Sequence, residues 1–314
     1  LALTTYVSLS MVADNLNSSI FHYYEITNFG DVFVEVSRIP KTAIEQLYTI
    51  EGVEIAQGRI SANVPLRVED PDEKVRVRVV SLPREDYIVN DLYVIDGSKL
   101  KDNPKETVVL KQFSHARGIG LGDEIRPYIG GRDYSLDVIG MVGSPEYIYL
   151  MESEQDLLTD PEKFGVIYIT EEFAQYALGY KGSYNEVVIK IEEGHIDRIN
   201  SIVDEIEEKL DRYGVRRIMK REEQISHNVM MQEVEQLEKM ATSITLLFLT
   251  VAGIIINIIL SRIVKNDRMS IGIMKALGYS NLSILLHYAK FSMLIGLVGS
   301  TIGIILSIPL SGAF

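Results

Sequence analysis

The 314-residue chain has no cysteine. That excludes disulfides, cysteine nucleophiles and cysteine-ligated zinc. There is no G-x-x-x-x-G-K-[ST] loop either, so the chain does not cradle nucleotide phosphates as a P-loop ATPase does. The glycine-rich stretch Gly118-Ile119-Gly120-Leu121-Gly122 is not G-x-G-x-x-G. It precedes a strand pattern, whereas a dinucleotide fingerprint follows a strand and opens a helix. The histidines at 22, 115, 195, 227 and 287 form no i, i+4 pair for a metal. The acidic run Glu69-Asp70-Pro71-Asp72-Glu73 lacks the ligand spacing of a calcium loop and reads as a solvated turn. No catalytic residue, no metal site and no cofactor is expected in this chain.

Charge is absent from two long stretches. Residues 240–261 run 22 positions and residues 291–314 run 24 without a charged side chain. Each exceeds the roughly 20 residues that cross a hydrocarbon core of about 30 Å. Asn257 is the strongly polar side chain of the first run. The opening 13 residues are also uncharged and have no basic segment ahead of them. They read as the outer end of a membrane helix whose beginning is cut away, rather than as a signal peptide.

Basic residues are scarce in between. Residues 14–239 hold 26 Lys+Arg against 43 Asp+Glu, a net charge of −17, and the remainder holds 5 against 1. An acidic body does not suit a phosphate backbone, so nucleic acid is excluded as a partner; the uncharged runs point to the lipid bilayer instead. The segment joining those runs carries Arg262, Lys265, Arg268, Lys275 and Lys290 against Asp267 alone. Short basic loops stay on the cytoplasmic side. The expected protein is therefore multi-pass in the cytoplasmic membrane, with its large acidic domain outside.

Hydrophobic spacing outlines the rest. Leu9, Val12, Leu16, Ile20 and Tyr23 recur at heptad-like intervals, as do Met230, Val234, Leu237, Ala241 and Ile244. Two helices continuous with the membrane runs would form an antiparallel stalk, with Leu16, Ile20, Val234 and Leu237 in its seam; two separate surface helices are the alternative. Val32, Val34 and Val36 alternate as a strand, Pro40 opens a helix closed by Gly52, and a strand follows near Val53–Ile60. The order recurs late, with a strand over Val187–Ile191, a helix from Ile196 to Leu210 ended by Gly214, and a strand at Val215–Lys220. Two such units predict a split, ferredoxin-like β-α-β layer. Between them Val75–Val79 pairs with Val64–Glu69, and Glu124–Ile129 forms a hairpin with Tyr134–Val142 across Gly130-Gly131.

The fold class is thus an α+β extracytoplasmic domain, a split β-α-β layer plus an inserted β-rich lobe, on a helical stalk with α-helical membrane segments. In order, the expected parts are the end of a first membrane helix (1–13), a stalk helix (14–30) and the α+β domain (31–222), whose β-rich insertion covers about 90–180. A second stalk helix (223–239) follows, then a membrane helix (240–261), a cytoplasmic loop (262–290) and another membrane helix (291–314).

The loop is the most informative segment. Arg268-Met269-Ser270-Ile271-Gly272-Ile273-Met274-Lys275-Ala276-Leu277-Gly278-Tyr279-Ser280 has Ile271, Met274 and Leu277 at helical spacing, and Gly278 suits a C-cap. A short amphipathic helix between two spans rests on lipid headgroups or docks a cytoplasmic partner. The stretch resembles the cytoplasmic loop of FtsX-like ABC transporter permeases of the MacB and LolC/LolE type. Gly52-Val53, Gly120-Leu121-Gly122-Asp123, Ile139-Gly140-Met141-Val142 and Ser144-Pro145-Glu146-Tyr147 are similar to text of that family's MacB-like periplasmic core domain. The sequence departs from the family at Ser270, where most relatives carry an acid, and in lacking a fourth span.

The resemblance implies a permease subunit that transmits ATP hydrolysis by a separate ABC ATPase, which holds the ATP and Mg, to movement of the outer domain. The cargo would be lipid, lipoprotein or peptide, or an envelope process would be regulated. Arg268, Ile271, Gly272, Lys275, Ala276, Leu277 and Gly278 would form the ATPase-coupling segment. Gly296, Gly299 and Gly303 recur on one helix face and are expected to pack against another helix. A second permease half or a second copy, and an extracytoplasmic partner protein, complete the expected partners. The alternative function is a membrane-anchored extracytoplasmic sensor or ligand-binding module.

Overall fold

A period of two makes a strand when one face is buried, and Val32, Val34 and Val36 are all in the core. The fold comes from a computed structural model that describes residues 2–70, 72–85, 87–152 and 160–311. Leu1, Pro71 and residues 312–314, read from sequence as parts of the first membrane helix, the acidic turn and the last membrane helix, lie outside the described residues. The chain divides into two units, Phe21–Met230, and Leu1–Ile20 together with Met231–Phe314.

Helix α1 (Ala2–Ile26) leads into β1 (Val32–Pro40), α2 (Lys41–Glu45) and β2 (Val53–Arg59). There follow β3 (Ser61–Arg67), β4 (Val75–Leu82), β5 (Tyr93–Gly97), β6 (Glu106–Leu110), α3 (Lys111–Arg117), β7 (Glu124–Ile129), β8 (Arg132–Asp133), β9 (Leu136–Gly143) and β10 (Phe164–Thr170). The unit closes with α4 (Glu171–Ala177), β11 (Ser183–Ile191), α5 (Ile199–Leu210) and β12 (Val215–Lys220).

Four strands form one sheet in the order β12-β1-β11-β2, every neighbouring pair antiparallel. With α2 and α5 as its helices this is the expected ferredoxin-like layer. Ala43 and Ile44 of α2 join Ile202, Ile206 and Leu210 of α5 in the core beneath β1 and β11.

The inserted lobe is a second sheet of eight strands, β5-β9-β6-β10-β4-β3-β7-β8, in which β9 also pairs with β7. That extra pairing closes six strands, β9-β6-β10-β4-β3-β7, into a barrel. Its interior takes side chains from every strand: Val64, Val77, Val109, Ile125, Leu136 and Ile167 all belong to the same core. The strands of the lobe run from Ser61 to Thr170, which corrects the expected insertion at about 90–180. The expected β3–β4 hairpin is present, with Leu66 opposite Val75. Its outer partners are β7 and β10, the latter parallel to β4, and pairing over so many residues leaves no local signal. At Gly165 on β10, a Cβ atom would stand 2.1 Å from the Phe113 ring, so only glycine lets α3 lie this close to the barrel.

The other unit holds residues 2–20 of α1 and most of α6 (Ile225–Asn266), with α7 (Arg268–Ala276) and α8 (Asn281–Ser311). Helices α6 and α8 are long and apolar enough to cross a membrane. The Thr245 hydroxyl donates to the Ala2 carbonyl at 3.4 Å, and the Ser8 hydroxyl to the Ser307 carbonyl at 3.2 Å. These bonds place both α6 and α8 against α1.

Candidate functional site

The loop between α6 and α8 is built by its caps. Helix α7 ends in a Schellman motif: the Tyr279 amide donates to Met274 at 3.1 Å, the Gly278 amide to Lys275 at 3.1 Å, and Gly278 has φ +90°. Glycine adopts that φ without the steric penalty of a Cβ. The Ser280 hydroxyl then accepts the Ser283 amide at 3.2 Å, an N-cap that starts α8. A rigid stop followed at once by a rigid start fixes how α7 sits between the two long helices.

The helix has two faces. Ile271 and Met274 are half-buried. Met269, Ile273 and Leu277 are 81, 57 and 73% exposed and repeat every four residues, which puts them on one side of the helix. Gly272 and Ala276 are exposed among them, and Arg268 and Lys275 are exposed along one flank. The most exposed apolar set is therefore Met269, Ile273 and Leu277, while Ile271, expected in the coupling segment, is half-buried. Both triads have helical spacing, and only the packing chooses between them.

Electrostatics sharpen this surface. Asp267 accepts a hydrogen bond from the Tyr288 hydroxyl at 3.0 Å, so the loop's one acid is engaged with α8. Among the described residues, no ion pair engages Arg262, Lys265, Arg268 or Lys275. The result is a solvent-facing apolar strip bordered by unopposed cations.

The other expected site residues are distributed unequally. Gly303 is packed, its Cβ position 3.2 Å from the Thr4 hydroxyl of α1, whereas Gly296 and Gly299 face open space. Among the three glycines only Gly303 has α1 within 4 Å of its Cβ position, one turn before the Ser8–Ser307 contact. Of the four seam residues, Ile20 and Val234 are buried, and Leu16 and Leu237 are half-buried. Ala13, which the spacing did not single out, is more deeply buried than any of them, at 1% exposed.

In the mixed domain the notable cluster is ionic. Arg59, at the end of β2, donates from both terminal nitrogens to Glu146 at 2.5 Å and from Nε to Glu186 at 2.7 Å. Burial pulls the Arg59 pKa down, and the two carboxylates more than offset this, leaving it above the ordinary value. Glu146 lies between β9 and β10 of the inserted barrel and Glu186 lies on β11, so Arg59 joins the two sheets. A cleft of about 570 Å³ is lined by Arg84, Asp91, Lys99 and Asp102; Arg84–Asp102 and Lys99–Asp91, each 2.7 Å, neutralise one another there. Among the described residues, no group of His, Asp and Glu is placed to hold a metal.

Residues 242–314 match the FtsX-like permease C-terminal family, and the loop that carries the resemblance lies inside that match. No curated protein matches the chain. Among similar solved structures is the extracellular domain of the noncanonical ABC-type transporter YknZ from Gram-positive bacteria. It is 17% identical over 61% of this chain and 99% of that one, with a TM-score of 0.41. The periplasmic region of MacB from Actinobacillus actinomycetemcomitans is 12% identical over 69% of this chain and 98% of that one, with a TM-score of 0.40.

Proposed function

We propose that this chain is a permease-type subunit of an ABC transporter complex, worked by a separate ATPase that docks on α7. The observation that carries the reading is the FtsX-like permease match over residues 242–314, centred on a capped helix with an outward apolar strip. Met269, Ile273 and Leu277 enter a groove of the ATPase, Gly272 and Ala276 admit its backbone, and Arg268 and Lys275 meet its acidic groups. ATP and Mg belong to the ATPase. The unpaired cations of the loop favour the cytoplasmic side, where ATP is available, and put the mixed α/β domain outside a multi-pass protein.

In this reading α7 receives a displacement and the long helices transmit it. The outer domain changes shape in response, to extrude lipid, lipoprotein or peptide or to regulate an envelope process. A rigid helix serves as a lever if it has two discrete arrangements.

Ile273→Asp combined with Leu277→Asp is expected to reduce co-purifying cognate ATPase at least tenfold. Arg268→Ala with Lys275→Ala is expected to make the remaining association weaken more gently with salt. Full retention of the ATPase by the aspartate variant would remove the docking role from α7.

A further inference from the structure

The mixed domain is rich in acids, and one cleft in it sets aromatic rings among them. A cavity of about 610 Å³ opens among the end of α1, the start of β2, the loop after β4, the end of β11 and Arg221. That volume suits a side chain or a small ligand, and every residue lining it lies within Phe21–Met230.

Its walls are held from behind. The Asn28 side-chain amide donates to the Ile88 carbonyl at 3.3 Å, and the Asp91 backbone amide donates to the Thr27 carbonyl at 2.8 Å. Gln57 of β2 donates to the Tyr87 carbonyl and accepts the Val89 amide, at 2.6 and 2.7 Å. The loop carrying Tyr87 is therefore tied both to the end of α1 and to β2, while the Tyr87 and Phe21 rings stay 42 and 48% exposed. Arg221 lies 5.9 and 5.3 Å from the ring centres of Tyr24 and Phe29; among the described residues no cation faces the Phe21 or Tyr87 ring.

The cations of the cleft are already spent. Arg221 and Lys190 share the buried Asp31 carboxylate, at 2.6 and 3.8 Å, and both donate to the Phe29 carbonyl. At the mouth Glu25, Glu54 and Glu193 are exposed, and among the described residues no lysine or arginine pairs with them. Burial, and after it the Glu54 carboxylate, hold the Tyr87 hydroxyl above its ordinary pKa, so acid and ring share one neighbourhood. Among the described residues no group of acids converges as a metal needs.

We infer that this cleft takes an arginine or lysine side chain of a partner peptide. A cation lying over the Phe21 or Tyr87 ring is attracted by its negative face, and the unpaired carboxylates raise the local concentration of basic ligands. Acids alone would suit any cation. The rings select one with an apolar stem and a weakly hydrated head, which arginine provides best and lysine less well. The inference goes beyond the docking of an ATPase on α7 and holds whether or not one binds there.

Fluorescence anisotropy of the full chain in detergent tests it, with labelled Gly-Arg-Gly-Arg-Gly as the probe. Replacing both arginines by citrulline, which keeps the shape and removes the charge, is expected to weaken binding at least tenfold. Tyr87→Ala, and Glu54→Gln combined with Glu193→Gln, should each weaken it at least fivefold, whereas Tyr87→Phe keeps it. Glu207→Gln with Glu208→Gln, the same charge change on exposed residues of α5, should leave binding as it is. No binding of the probe, equal binding of the citrulline peptide, or an equal loss from the α5 pair would each overturn the inference. Full retention by the Glu54 and Glu193 variant would do so even if Tyr87→Ala failed to fold. Displacement of the probe by calcium or spermidine at the probe's own concentration would assign the cleft to free cations instead of a peptide.

Discussion

At the scale of single residues, Arg59 ties the two sheets of the mixed domain together through a buried ionic cluster. Arg59 and Glu146 are 7 and 6% exposed and Glu186 14%, so removing the cation leaves two carboxylates without compensation. Arg59→Met is expected to cost about 3–5 kcal/mol, as broken buried pairs do, and replacing all three with apolar residues should recover most of it. Denaturant titration of the detergent-solubilised protein checks both. Glu73 adds a pH dependence. Arg117 donates to both of its carboxylate oxygens, at 2.7 and 3.1 Å, and holds its pKa below the ordinary 4.5. The unfolded chain therefore binds this proton more readily, so the stabilisation is full above about pH 4.5 and is lost as pH falls below it. Melting of wild type and Glu73→Gln at pH 7 and pH 4 should show a gap that narrows at the lower pH.

At the scale of elements, the pairing of α1 with α6 makes a register prediction. Within one unit, Ala2 at the start of α1 meets Thr245 of α6, and the expected antiparallel pairing gives a register from that contact. Extending that register sets Ala13 opposite Val234, both buried. Ala13→Cys with Val234→Cys should form a disulfide, and Ile20→Cys with Leu237→Cys should not. The second pair is displaced by at least six residues, about 9 Å of rise, beyond the reach of a disulfide. Elements with one buried face were legible in sequence, because Val32-Val34-Val36 and Ile199-Val203-Ile206-Leu210 carry a period. Strand β10, Phe-Gly-Val-Ile-Tyr-Ile-Thr, carries none. Phe164, Val166 and Tyr168 enter one core and Ile167 and Ile169 the other. A strand buried on both faces loses the alternation that would reveal it.

At the scale of the whole molecule, charge and hydropathy divide the labour. In spheroplasts, a membrane-impermeant maleimide added outside should label Tyr176→Cys, 71% exposed on α4. It should leave Lys275→Cys unlabelled until the membrane is opened. Labelling of both sites from outside would contradict the orientation argued from the basic loop.

Much of this was determined by sequence alone: two apolar helices, a basic capped loop between them, and an acidic α+β domain with a split β-α-β layer. These follow from local composition and periodicity, since a charge-free run or a period of two is the same wherever the chain later goes. What tertiary structure decided is non-local. The barrel closes because β9 finds β7, and the lobe begins at Ser61 because β3 and β4 find β7 and β10. The most exposed apolar residues of α7 are Met269, Ile273 and Leu277, while Ile271 and Met274 are half-buried. Gly303 packs while Gly296 and Gly299 do not, because α1 meets α8 around Gly303 and Ser307 and not at the two earlier glycines. Each choice was between alternatives with equal spacing, and spacing alone carries no information about which neighbour arrives.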